Sequence, residues 1–170
     1  NPKPTATPTL RGPRVWALLR TLSELAPPYG VRDLAESLSV DAGYVSRVLK
    51  VLEGEMMIER PPRGAITSVD WEGVLRELAS TYSFFAANET STWVAPGGAE
   101  QLLRDLVDKR SGRWAVTGSF ASSSIVPLAA PETAFIYTTD PERLAKIGRL
   151  LPATTGANVV LAVPYDEIVF

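Results

Sequence analysis

The chain has 170 residues, 17 basic and 19 acidic side chains, and neither cysteine nor histidine. Its composition is typical of a globular protein, and the absence of both residue types excludes disulfides, thiol nucleophiles, imidazole bases and almost all zinc sites. No apolar run approaches the roughly 18 residues that a membrane-spanning helix needs, so we expect no membrane partner.

The first ten residues, with prolines at positions 2, 4 and 8, predict an extended tail and lack the apolar core of a signal peptide. The chain has no initiator methionine and ends on the apolar residues Ile168, Val169 and Phe170. We therefore expect a fragment or a processed form. The absence of cysteine is compatible with a cytoplasmic location, which we predict. The excess of arginine over lysine suggests a bacterial source.

Four helical stripes follow along the chain. Each has apolar residues at relative positions 0, 3, 4 and 7, which is the one-face pattern of an amphipathic helix. The stripes are Val15, Leu18, Leu19 and Leu22; Val31, Leu34, Ala35 and Leu38; Val45, Val48, Leu49 and Leu52; and Trp71, Val74, Leu75 and Leu78. Pro13 suits the first turn of the first helix, and Asp41 is predicted to cap the third helix.

The second and third helices are separated only by residues 39–41. Two helices joined this tightly cross at a steep angle, which is helix-turn-helix geometry. Residues 57–60 and 65–69 then predict two short strands, and residues 61–64 predict the turn between them, with glycine supplying the unusual dihedral. Three helices followed by a hairpin predict a winged helix.

The segment from Leu34 to Glu53 fits the pattern LAxxLxVxxGxVSRxLxxLE nearly position by position. It resembles the DNA-reading segment of bacterial winged-helix regulators of the MarR and IclR kind. The resemblance implies a winged-helix fold and binding to double-stranded DNA.

The third helix is expected to enter the major groove with its N-terminus first. There Arg47 would bind guanine N7 and O6, while Ser46 or Tyr44 would reach a base edge or a phosphate. Arginines on the hairpin would lie near the DNA backbone or the minor groove, where they add affinity. The complete set of predicted DNA-contacting residues is Ala42, Tyr44, Ser46, Arg47, Lys50, Arg60 and Arg63.

The net charge of the N-terminal part of the chain supports the DNA-binding hypothesis only weakly. Residues 1–69 hold nine basic and seven acidic side chains, whereas strong DNA binders usually show a clear basic patch. Alternatively, Arg47 and Lys50 form an ordinary solvated face. A further alternative is that the winged helix binds a protein and not DNA. A homodimer would compensate for weak single contacts, because it places two third helices about 34 Å apart on the DNA.

The second half of the chain alternates strands and helices. The predicted strands are residues 93–95, 114–117, 134–137 and 159–163, and the predicted helices are residues 102–107, 119–125 and 141–151. Leu144, Ile147 and Leu151 are expected to face inward on the last of these helices. This alternation predicts a small α/β domain. The fold class of the chain is therefore α+β, with an N-terminal winged helix-turn-helix followed by that domain.

A strand that runs into Gly118-Ser119 and a helix resembles the opening of the nucleotidyltransferase fold. Catalysis in that fold needs two or three carboxylates on the next strand, which hold Mg²⁺. Residues 134–139 carry no carboxylate. The adjacent acids lie outside this strand: Glu132 precedes it, and Asp140 follows it as the predicted cap of the next helix. We therefore predict a degenerate, non-catalytic relative without metal or other cofactor. An active nucleotidyltransferase is the alternative. For Gly118-Ser119 itself, the interpretation we prefer is a plain strand-to-helix turn with a serine cap.

A second resemblance spans residues 13–165. The winged helix is followed by a helix at 70–83 and by short segments at 92–98, 115–119 and 150–152. Together they resemble predicted transcriptional regulators grouped with the type IV abortive-infection (AbiE) antitoxins. The resemblance implies an operator-binding repressor, often of its own operon, whose C-terminal domain supports repression or opposes a nucleotidyltransferase-like toxin.

The sequence thus predicts a non-enzymatic, sequence-specific transcriptional regulator. Its predicted parts are a tail at 1–10, the winged helix at 11–70, a connecting helix and strand at 71–96, and a truncated α/β domain at 97–170. The predicted partners are operator DNA, a second copy of the chain and a toxin protein. The alternative is a protein-interaction adaptor or antitoxin module that does not read DNA.

Overall fold

The structure is a computed structural model, and it describes residues 9–62, 64–109, 112–123, 125–126 and 131–170. The predicted tail therefore lies almost entirely outside the described residues. The chain divides into two compact units, residues 1–83 and residues 84–170. The division falls inside the segment 71–96, for which the sequence predicts a connection. The helix of this segment lies in the first unit and its strand lies in the second.

The described part of the first unit has the element order of a winged helix. Its elements are α1 (Pro13–Glu24), α2 (Val31–Ser37), α3 (Ala42–Gly54), β1 (Ile58–Glu59), β2 (Ser68–Val69) and α4 (Trp71–Thr81). β1 and β2 pair antiparallel, with Ile58 opposite Val69. The predicted arrangement of three helices followed by a hairpin is confirmed.

The local sequence explains where the helices of this unit begin. The backbone N–H of Tyr44 donates to Asp41 Oδ1 at 2.9 Å, so Asp41 caps α3 as predicted. Asp70 caps α4 in the same way, accepting from the N–H of Gly73 at 3.0 Å. α1 has a proline in its first turn and is preceded by Gly12, which provides no side-chain cap.

The apolar stripes of α1 and α3 form most of the core of the first unit. Their buried members are Val15, Leu18, Leu19, Leu22, Val45, Val48, Leu49 and Leu52, and each is at most 2% exposed. Leu34 and Ala35 of α2, Ile58, Ile66 and Val74 complete the buried cluster. Burial of these side chains is the main force that holds the three helices together.

The predicted stripe of α4 is only partly correct. Val74 is fully buried, but Trp71 is 54% exposed and Leu75 is 40% exposed. The reason is that the packed face of α4 runs through Val74, Leu78 and Thr81, where Thr81 Oγ1 accepts a hydrogen bond from Trp16 Nε1 of α1 at 3.3 Å. That face also has helical spacing, but it is rotated away from the predicted one.

The hairpin is shorter than its sequence predicts. Each strand has two residues, and Ile66 instead forms an isolated antiparallel bridge with Tyr29, whose carbonyl oxygen accepts from Ile66 N–H at 2.9 Å. Ile66 is 1% exposed. The segment between α1 and α2 is therefore part of the wing, although its prolines predict only a turn.

The second unit is a mixed sheet with helices between its strands. Its elements are α5 (Phe84–Ala87), β3 (Glu89–Val94), α6 (Ala99–Asp108), β4 (Trp114–Thr117), α7 (Gly118–Ser123), β5 (Ala134–Thr138), α8 (Pro141–Gly148), β6 (Leu151–Pro152), β7 (Val159–Val163) and a final 3-10 turn, Glu167–Val169. The strand order is β4-β5-β7-β3-β6. Only the β5–β7 pair is parallel among these neighbours.

One face of this sheet is covered by α6 and α8. Leu106 and Leu144 from these helices pack against Ile136 of β5 and Leu161 of β7, and all four side chains are at most 2% exposed. β7 is buried on both faces along most of its length, as its continuous apolar sequence predicts. The predicted mixture of strands and helices in the second half is confirmed.

The end of α8 corrects one prediction. The helix stops at Gly148, and Arg149 follows in the left-handed conformation with φ +54°. A Cβ at Gly148 would lie 2.6 Å from Leu102 Cδ1 of α6, so a larger residue here would require the Leu102 side chain to shift. Leu151, which is predicted to face inward on the helix, is 57% exposed and lies in the edge strand β6.

The predicted strand-to-helix turn after β4 is confirmed, but the predicted serine cap is wrong, because α7 begins one residue earlier and Ser119 lies inside it. α7 begins at Gly118, whose φ of +66° is the left-handed conformation that glycine adopts without strain. Asp140 caps α8 as predicted, because its Oδ1 accepts from the N–H of Arg143 at 3.0 Å. Within the described ranges, none of the helices has the length and apolar character that crossing a membrane requires.

Candidate nucleic-acid interface

Three predicted DNA-contacting residues lie exposed on the outer side of α3. Ser46, Arg47 and Lys50 are exposed, whereas Val45 and Leu49 on the opposite side are fully buried. The helical period of about 3.6 residues separates these two sides. α3 thus presents a hydroxyl and two cations to solvent, close to the end where the backbone N–H groups point outward.

Ala42 and Tyr44 are less exposed than their sequence positions predict. Both are half-buried, and both pack against the core cluster of the first unit. Their predicted contact with DNA stays a prediction, and it would have to be made by side chains that the protein partly covers. The reason is tertiary: the first turn of α3 lies beside the start of α1, and Tyr44 shares a shallow depression there with Gly12 and Pro13.

Two further arginines, which the sequence pattern does not indicate as DNA-contacting residues, line the same depression. It is lined by Arg11, Gly12, Pro13, Arg14 and Tyr44, and we call it the arginine cleft. Burial raises the pKa of the Tyr44 hydroxyl, and the positive charges of Arg14 and Arg47 partly oppose this effect. Both guanidinium groups are therefore close enough to Tyr44 to act on its charge.

One feature of the sequence could have indicated Arg11 and Arg14 as members of the candidate interface. They lie three residues apart around the Gly-Pro that starts α1, so they belong to the same helix end. The contact between this end and the first turn of α3 depends on the crossing of α1 and α3, which spacing along one helix does not show.

The side chain of Arg47 lies back along α3 toward its first turn. A Cβ placed at Gly43 would be 3.6 Å from Arg47 Nη1, so the guanidinium lies over a residue that has no side chain. Among the residues that the structure describes, no carboxylate forms an ion pair with Arg11, Arg14 or Arg47. Their charges are therefore available to an external anion.

Arg60 lies in a different environment. Its Nε and Nη2 both donate to Glu53 Oε2 at 3.2 Å, and its side chain is only 16% exposed. This pair joins β1 and the residue after it to the last turn of α3. The predicted contact of Arg60 with DNA stays a prediction, and the geometry shows that the guanidinium already has a partner. Arg63 lies outside the described residues.

The described residues contain no cluster of three or more acidic side chains that could hold a metal ion. β5 carries no carboxylate, and Asp140 beyond its end is used as a helix cap. The chemistry of the exposed set on α3 and in the arginine cleft is thus that of hydrogen-bond donation and positive charge, which suits the binding of a polyanion.

A comparison with protein families agrees with this geometry. Residues 13–63 match the model of the MarR family. The matched span runs from α1 to the turn of the hairpin, and MarR-family regulators bind DNA and are usually dimers. The first unit is thus a winged helix of a kind that transcriptional regulators use.

Searches of curated proteins and of solved structures found no match to the chain. The resemblances to the type IV abortive-infection antitoxins and to the nucleotidyltransferase fold are therefore not confirmed. The family match does not extend to the second unit.

Proposed function

We propose that this protein is a sequence-specific DNA-binding transcriptional repressor that places the N-terminal half of α3 in the major groove. The observation that carries the proposal is the free outer side of α3, where Ser46, Arg47 and Lys50 are exposed. The MarR match to residues 13–63 supports it, because it covers the whole of this helix.

Arg47 is proposed as the main base-reading residue. Its guanidinium has no acidic partner among the described residues and can donate two hydrogen bonds to guanine O6 and N7. Lys50 lies nearly one turn further along the exposed side and is proposed to contact a phosphate. Ser46 is proposed to donate to or accept from a base edge between them.

A dimer would strengthen binding by a winged helix of nearly neutral charge. Two copies on one operator read two half-sites about one helical turn, roughly 10 base pairs, apart. The affinity of each copy then adds to that of the other through a high effective concentration. We therefore propose that the repressor acts as a homodimer.

The test starts with selection of bound sequences from a library of random DNA duplexes. We expect an enriched motif with two related half-sites and an affinity that falls steeply with salt. Arg47→Ala is expected to weaken binding to that motif by about 1–3 kcal/mol and to reduce the preference for one base pair in each half-site.

Arg104→Ala is the matched control, because Arg104 is an exposed helical arginine that is paired with Glu100 at 2.7 Å. It is expected to bind like the wild type. Failure to enrich any motif, together with binding that does not respond to salt, would overturn the proposed function.

The remaining parts of the proposal concern activity and partners. We propose that the protein acts by binding and not by catalysis, and that it works in the cytoplasm with the DNA it regulates. A toxin partner and antitoxin-like control of its own operon stay predictions. Co-purification of a stoichiometric protein partner from the source cells would support a toxin partner, and a chain that purifies alone with its operator would count against it.

A further inference from the structure

The arginine cleft combines residues that are distant in the sequence. Arg11 and Arg14 come from the start of α1, and Tyr44 comes from the first turn of α3. Arg47, one turn beyond Gly43 on α3, extends its guanidinium toward the same turn. Two arginines and a tyrosine thus line a shallow depression, and Arg47 carries a third positive charge close enough to act on Tyr44.

We propose that the arginine cleft binds a backbone phosphate of the DNA duplex, next to the bases that α3 reads. This inference rests on the proposed function and adds a second point of contact to it. Tyr44 is thereby assigned to the phosphate backbone, where it positions α3 and carries no base preference of its own.

The charges in the cleft favour a phosphate. Arg11 and Arg14 are exposed, and no carboxylate among the described residues pairs with either of them. Asp41, the cap of α3, has its carboxylate near the guanidinium of Arg47, but that carboxylate already accepts a hydrogen bond from the backbone of Tyr44. A guanidinium offers donors in a planar fork that matches two phosphate oxygens, so a pair of arginines suits this ligand better than a point charge would.

The start of α1 adds a second reason. α3, α4 and α8 each have an aspartate cap, whereas α1, like α6, is preceded by a glycine that provides no side-chain cap, and Gly12 has φ +100°. The first N–H groups of α1 therefore have no side-chain acceptor at this position. A phosphate in the cleft would accept from them and would also interact favourably with the positive end of the helix dipole.

The hydroxyl of Tyr44 suits the same role. Burial raises the pKa of Tyr44, and although the charges of Arg14 and Arg47 oppose this, the net direction is upward. The hydroxyl therefore stays protonated at neutral pH and acts as a hydrogen-bond donor to the phosphate oxygen. Its half-buried ring fixes the position of that donor against the core.

The experiment compares Arg14→Ala, Tyr44→Phe and Arg47→Ala with the control Arg104→Ala. Binding to the selected duplex and to an unrelated duplex is measured by fluorescence anisotropy at several salt concentrations. Arg14→Ala is expected to weaken binding to both duplexes by a similar factor, about tenfold for the loss of one charged hydrogen-bonding contact. The slope of log K against log salt is expected to fall in magnitude by about 0.9.

Tyr44→Phe is expected to weaken binding to both duplexes equally, but with an unchanged salt slope because no charge is lost. A duplex with one neutral methylphosphonate at the contacted position is expected to bind wild type and Arg14→Ala with similar affinity. Thermal melting of each variant shows that it remains folded.

The possible failures are distinct. If Arg14→Ala binds like the wild type while Arg47→Ala loses base preference, the cleft proposal is wrong and the proposed function stands. If Arg14→Ala or Tyr44→Phe changes the preference between the two duplexes, the residue reads bases and the cleft proposal is again wrong. If the wild type binds no duplex, both proposals are overturned.

Discussion

The helices α3 and α6 both carry exposed cations, but those of α6 have acidic partners. On α6, Arg104 lies 2.7 Å from Glu100, and Lys109 at the end of the helix lies 3.8 Å from Asp105. In each pair the acid precedes the base by four residues, which places the two side chains on the same face of the helix. These cations are neutralised within their own element.

On α3 the corresponding positions hold no acid. Gly43 precedes Arg47 by four residues, and Ser46 precedes Lys50 by four residues. At the C-terminal end of α3 an acid and a cation do form a pair, because Glu53 lies 3.2 Å from Arg60. On α3 and the adjoining start of α1, the described cations without an ion pair are Arg47, Lys50, Arg11 and Arg14.

This difference shows what distinguishes a binding surface in a protein with slightly more acids than bases. The number of cations on the two helices is similar, and what differs is the residue one turn earlier. An external phosphate would have to displace a paired carboxylate on α6, whereas at the start of α3 the neighbouring carboxylate, that of Asp41, forms no ion pair with a cation. Local pairing, and not net charge, distinguishes the exposed side of α3 from that of α6.

The largest expected effect is a difference in stability between substitutions on the buried side and on the exposed side of α3. Leu49→Ala removes a fully buried side chain and is expected to lower the free energy of unfolding by about 2–5 kcal/mol. Arg47→Ala is expected to change it by less than about 0.5 kcal/mol, because Arg47 is an exposed cation without an ion pair. Urea unfolding followed by circular dichroism measures both values. A large loss of stability in Arg47→Ala would show that its side chain has a structural partner.

Ser46→Glu tests the comparison between α3 and α6 directly, because it places an acid four residues before a cation on α3, as on α6. The new carboxylate lies one turn before Lys50 and also faces the DNA. We expect DNA affinity to fall by at least about tenfold, or ~1.4 kcal/mol. Ser46→Gln is the matched control with the same size and no charge. Equal losses in the two variants would mean that size, and not charge, limits binding.

The cap of α3 provides a smaller effect of opposite sign. Asp41→Asn keeps a good capping residue but removes a negative charge beside the arginine cleft, so DNA affinity is expected to rise by about threefold. Asp41→Ala is expected to cost about 1 kcal/mol of stability through loss of the cap. Asp140→Ala on α8 removes an equivalent cap and is expected to leave DNA affinity unchanged. A fall in affinity of Asp41→Asn would contradict the assignment of this helix end to an anion.

The smallest expected effect tests the paired end of α3. Glu53→Gln releases Arg60 from its carboxylate, and stability is expected to change by less than about 1 kcal/mol because the carboxylate is partly exposed. DNA affinity is expected to rise by about twofold if the freed guanidinium reaches the backbone. The readout is the salt slope, which should become steeper. An unchanged slope would place Arg60 outside the interface.

The sequence predicts much of the first unit because its signals are local. The spacing of Val15 to Leu22 and of Val45 to Leu52 identifies two buried helix faces, and Asp41 identifies the start of α3. These features depend on contacts within one helical turn. The exposed residues Ser46, Arg47 and Lys50 follow from the same spacing, because they fall opposite the buried stripe.

The features that the sequence does not predict depend on contacts between elements. Arg14 reaches Tyr44 only because α1 crosses the start of α3, and Arg60 meets Glu53 across the end of a helix and a strand. Trp71 is exposed because α4 packs on α1 along a neighbouring face. Apolar spacing alone cannot distinguish two overlapping faces of one helix.

The bridge between Tyr29 and Ile66 has a consequence for how the hairpin can change over evolutionary time. Ile66 is buried and its N–H is held by the chain between α1 and α2, so the returning arm of the hairpin is anchored at its base. Substitutions or insertions between residues 61 and 64 leave this anchor untouched. The turn of the hairpin can therefore vary in sequence without altering the core that holds the returning arm.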